Sequence, residues 1–168
     1  MKRETIENIL NFLKEKEGNR LPEKWIKFLA KEKLIQELET HPDGTKYIHH
    51  GYSDLRNTNI KKLPKDFYTD DNFILSGCKQ LTQLPDKLHV VGFLHLSDCN
   101  QLTELPDNVY VKDSLVLDGT NITELPNNLY IDGDLYIKGT PLSKKYSHEE
   151  IREMITSKGG TIIGNIKR

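Results

Sequence analysis

Two cysteines and six histidines are the side chains of this 168-residue sequence best suited to hold a metal or act as nucleophiles. A zinc site needs convergent ligands at a recognisable spacing, and no C-x-x-C pair or His/Asp companion set is present. Cys78 and Cys99 stand 21 residues apart. His49 and His50 are adjacent, so in a strand they point to opposite faces and cannot chelate one ion together. His41 belongs to the turn sequence His41-Pro42-Asp43-Gly44, His148 to the first turn of an expected helix, and His89 lies between two inward aliphatics, Leu88 and Val90. No phosphate loop, zincin helix or serine nucleophile elbow occurs. Asp70-Asp71 and Glu149-Glu150 are explained by a turn and by a helix N-terminus, where anions are favoured. The expectation is a protein with no catalytic residues, no metal and no cofactor.

The charges almost cancel, at −1 over the chain, but they are unevenly placed. Residues 51–142 are net −5, whereas residues 1–50 are net +1 and 143–168 net +3. An acidic middle repels a phosphate backbone and steers a basic partner patch. No run approaches the length of a spanning helix, and the first residues lack the pattern of a secretory signal. Few cysteines and no signal make the cytoplasm the expected compartment.

The middle is periodic. IKKLP, LTQLP, LTELP and ITELP place Leu-Pro at 63–64, 84–85, 105–106 and 125–126, steps of 21, 21 and 20 residues. A period of this size is the signature of a solenoid whose units bury their apolar sides only by stacking. Superposing the units predicts inward columns Phe73/Leu94/Leu115/Leu135 and Leu55/Leu75/Leu96/Leu117/Ile137. They also predict a small-residue column Thr58/Cys78/Cys99/Thr120/Thr140 and return-side columns Phe67/Leu88/Val109/Leu129 and Thr69/Val90/Val111/Ile131. The two cysteines thus occupy equivalent places in neighbouring coils. A disulfide or metal pair is geometrically conceivable there, but filling the small site, as Thr does elsewhere, is the simpler reading. The additional residue in the 21-residue units falls after Cys78 and Cys99, in a surface loop.

FILSGCKQLTQLP and FLHLSDCNQLTELP resemble leucine-rich repeats, with pattern L-x-x-L-x-L-x-x-N/C-x-L. The Leu-Pro step and short period are similar to bacterial leucine-rich-repeat effectors and to small repeat proteins encoded by bacteriophages, and PLSKKYSHEEIREMI also resembles the phage group. The resemblance implies an α+β leucine-rich-repeat solenoid with a parallel sheet on its concave face. Residues 1–50 are expected to form an N-terminal helical cap (helices near 5–17 and 22–39), 51–146 the repeats, and 147–168 a helix–strand cap. Two departures stand out. Thr or Cys replaces the usual ladder Asn, and the units are too short for a full convex helix, which predicts extended or 3₁₀ segments there. The effectors' separate ubiquitin-ligase domain has no counterpart in these residues.

One outward residue per coil lies between the two inward columns: Asp54, Ile74, His95, Val116 and Tyr136. Tyr52 and Phe93 flank this strip, and Asp118 and Asp134 rim it. Aromatic and aliphatic residues ringed by polar ones are the composition of an interface core. The expected function is a non-catalytic protein-protein interaction module that binds a partner with a basic patch. If phage-encoded, it would block a host or defence protein in the host cytoplasm. The alternatives are a structural, self-assembling repeat protein and a nucleic-acid-binding accessory protein, the latter favoured only by Lys24, Lys27, Lys31 and Lys33.

Overall fold

The computed structural model describes Lys31 and residues 47–65 and 67–168. The chain divides into two compact units, Met1–His41 and Pro42–Arg168. The expected N-terminal helices and the turn at 41–44 lie outside the described residues.

Two parallel six-stranded sheets run the length of the second unit. One contains β1 (Tyr47–His49), β3 (Phe67–Thr69), β5 (His89–Val90), β7 (Tyr110–Val111), β9 (Tyr130–Ile131) and β11 (Thr161–Ile162). The other contains β2 (Ser53–Asp54), β4 (Phe73–Ile74), β6 (Leu94–His95), β8 (Leu115–Val116), β10 (Leu135–Tyr136) and β12 (Ile166–Lys167). Odd and even strands alternate along the chain, so every coil contributes one rung to each sheet. This is a parallel β-solenoid. The return limb, expected to be merely extended, is itself a hydrogen-bonded sheet.

The inward columns form the core. Leu55, Leu75, Leu96, Leu117 and Ile137 are buried, as are Phe73, Leu94, Leu115 and Leu135 and both return-side columns. Period-two alternation within each rung turns the next residue outward. Left-handed residues end the even rungs at Asn57, Gly77, Asp98, Gly119 and Gly139. A second left-handed column, Lys87, Asn108, Asn128 and Gly159, precedes the odd rungs. Asn, Asp and Gly dominate both because they tolerate this backbone region best. At Gly119 an added Cβ would sit 2.5 Å from Asp98 Oδ1, so the coils approach closely there.

The residue added after each cysteine is absorbed as expected. Lys79-Gln80 and Asn100-Gln101 form exposed turns that the Thr120 coil lacks, and both sheets keep register across the change. The last coil is longer, with Leu135 and Ile166 paired 31 residues apart. It contains two helices, α1 (Pro141–Lys145) and α2 (His148–Ser157). Thr140 caps α1, with proline in its first turn. Ser147 and Glu150 close a reciprocal capping box on α2, which buries Ile151 and Ile155. β11 was expected, whereas α1 and β12 were not.

Candidate functional site

Each sheet carries one outward column, and the two differ in chemistry. On the even sheet the register sets Asp54, Ile74, His95, Val116, Tyr136 and Lys167 in a line. The structure brings the strip named from the sequence together, with one correction: Ile74 is only 7% exposed and belongs to the core rather than the surface. Its rung lies between those of Asp54 and His95. Phe93, His95, Val116 and Tyr136 are half-buried, and Tyr52 is 54% exposed.

The polar rim is internally organised. Arg56 forks onto Asp54, with Nη2 2.6 Å and Nε 2.9 Å from its oxygens. Asp118 Oδ1 accepts the Lys138 amide at 2.6 Å. Asp134 Oδ1 accepts the Asn165 amide at 2.7 Å, and Lys167 Nζ stands 3.8 Å from its other oxygen. His95 Nε2 lies 2.9 Å from Ser97 Oγ. Burial pushes the His95 imidazole below its ordinary pKa against the opposing pull of Asp118 and, more weakly, Asp98, while Arg56 adds to the lowering.

The odd sheet carries a column that the strip did not include. Tyr68, His89, Tyr110 and Tyr130 occupy successive rungs and stack ring on ring. Centroid separations are 4.9, 4.2 and 4.7 Å, with interplanar angles of 23°, 10° and 3°. Parallel pairing sets the rung spacing near the stacking distance of aromatic rings, so register alone aligns them. Because ring faces meet each other, the column turns its edges outward. The signal was present in the sequence as four ring residues recurring at the repeat's own steps. Rungs of only two or three residues give the return limb too little alternation to mark it as a sheet.

The cysteines stack in the small-residue column. Both are free and buried. Cys78 Sγ donates to the Leu55 carbonyl and Cys99 Sγ to the Leu75 carbonyl, each at 3.2 Å. Burial pushes the Cys99 thiol up to about 12, which removes nucleophilic thiolate at neutral pH. His49 Nε2 lies 2.5 Å from Ser53 Oγ, while His50 Nδ1 lies 2.6 Å from Asp70 Oδ2. The adjacent histidines therefore serve different partners. Among the described residues no group of three or more His, Cys, Asp or Glu is placed to hold a metal ion.

A shallow depression of about 370 Å³ lies over Thr103, Glu104, Asp107, Thr123, Asn127 and Lys158. Lys158 Nζ donates to the Leu125 carbonyl at 2.7 Å and lies 3.8 Å from Glu124. Asn127 satisfies both oxygens of Asp107. Asp107 and Lys158 are thus both engaged within the protein. No helix of the described residues is long and apolar enough to cross a membrane. No protein-family model, curated protein or solved structure matches the chain.

Proposed function

We propose that this chain is a leucine-rich-repeat type solenoid, capped at both ends, that acts as a non-catalytic protein-binding module. In the bacteriophage setting its repeats resemble, the bound protein is a host or defence protein and binding blocks it by occlusion. The observation that carries the reading is the even-sheet strip Phe93, His95, Val116 and Tyr136. These are half-exposed ring and aliphatic side chains on three successive rungs, backed by a fully buried column and bordered by Asp118 and Asp134. Aromatic anchors within a polar rim are the usual energetic centre of a protein interface. The repeats' net negative charge favours a basic partner patch.

The test is the double variant Phe93→Ala, Tyr136→Ala used as bait in a host lysate beside the wild type. Loss of the captured protein with a nearly unchanged thermal midpoint supports the strip. Capture at full affinity would place the contact elsewhere. A second reading uses the odd sheet and is favoured by the four-ring stack, since tyrosine offers large, rigid, amphipathic contact area. The variant Lys112→Glu, Asp132→Lys, beside that stack, is its counterpart bait.

A further inference from the structure

The ring column reads Tyr-His-Tyr-Tyr, so it contains a single pair of adjacent tyrosines, Tyr110 and Tyr130. They are register partners in a parallel pair, with centroids 4.7 Å apart and planes within 3° of parallel. Within this column His89 stands between Tyr68 and Tyr110 and stacks on both. Both rings are half-buried, leaving their outer edges open to water. We propose that Tyr110 and Tyr130 form an oxidative cross-linking site that joins two adjacent coils as dityrosine when a haem peroxidase and hydrogen peroxide supply the oxidising equivalents.

The chemistry follows from placement. Each phenol loses one electron and one proton, giving a phenoxyl radical with spin density on the carbons beside the hydroxyl-bearing carbon. One such carbon of each ring forms the new carbon–carbon bond as the rings splay about their Cβ–Cγ bonds. Tautomerisation then returns each ring hydrogen to its oxygen and restores both phenols. The two electrons and two protons reduce one peroxide to two waters, so the chain ends two hydrogen atoms lighter. Parallel register brings the phenolic ends together as well as the rings. After burial and Asp132, Tyr110 is among the groups that push the Tyr130 phenol above its ordinary pKa. This site is independent of the even-sheet strip and shares its rings only with the second, odd-sheet reading.

The experiment treats the dilute full-length chain with a plant haem peroxidase and hydrogen peroxide, then isolates the monomer. The expected product shows dityrosine fluorescence, an intact mass lower by two hydrogens, and one cross-linked peptide containing both Tyr110 and Tyr130. Tyr110→Phe and Tyr130→Phe keep the rings, and with them the fold as checked by circular dichroism, and each should abolish the monomer cross-link. Tyr52→Phe should leave it intact. A cross-link that survives in Tyr130→Phe, a yield in the folded chain no greater than in urea, or coupling found only in covalent dimers would overturn the proposal.

Discussion

Cys99 Sγ reaches back one coil to the Leu75 carbonyl at 3.2 Å, whereas Thr120 Oγ1, one rung on, satisfies Leu117 of its own coil at 2.7 Å. The same column is therefore bonded in two ways, and the cysteine mode needs the proton on sulfur. With its pKa pushed up to about 12, Cys99 should resist a thiol-alkylating reagent in the folded chain and react on unfolding. Replacement by Ala leaves the Leu75 carbonyl bonded to the Cys78 amide at 3.1 Å, so loss of the thiol bond should cost only about 0.5–1.5 kcal/mol. Rapid native-state labelling followed by mass spectrometry would contradict this account.

Burial distinguishes residues that alternate along a single strand. Leu96, fully buried, should lose roughly 2–5 kcal/mol on truncation to Ala. Ile74→Ala should behave as a core substitution despite its outward register, while Val116→Ala on the same column should be much milder. Urea titration of the three variants checks the order.

Stability should fall in two stages on acidification. His95 has a folded pKa depressed by burial, so its contribution is complete above about 6.5 and is lost as pH falls toward the folded value. Asp70 is held low by His50 and the Gly51 amide, and Asp107 by Asn127. Their contributions are present above about 3.9 and disappear as pH falls through the lower folded values. His95→Gln should remove the first stage and Asp70→Asn should weaken the second, read as urea midpoints against pH.

The α2 capping box offers a local test. Ser147 Oγ accepts the Glu150 amide at 3.2 Å, and the Glu150 carboxylate accepts the Ser147 amide at 2.7 Å. Ser147→Ala should cost about 1 kcal/mol, and Ser147→Gly less. A loss above that range would mean the serine does more than cap.

The inward columns were legible because a twenty-residue period and a two-residue alternation overdetermine them: a Leu at 96 has only one place to go. His89 was correctly turned outward by its neighbours, yet its stack was not read, because two-residue strands leave almost no pattern of their own. Ile74 escaped for another reason. It shares its outward register with Val116, so alternation alone does not separate the buried position from the half-exposed one. The helix α1 had a signal in Thr140 followed by Pro141, but the repeat register masked it.

The insertion turns at Lys79-Gln80 and Asn100-Gln101 make the coil a modular length unit. Since Leu94 and Leu115 are register partners, excising residues 94–114 joins Phe93 to Leu115 without shifting either sheet. Such a chain would lose one rung from both outward columns at once, including one aromatic position of the stack. The reach of the two faces is therefore coupled: lengthening or shortening one by a rung changes the other by the same step.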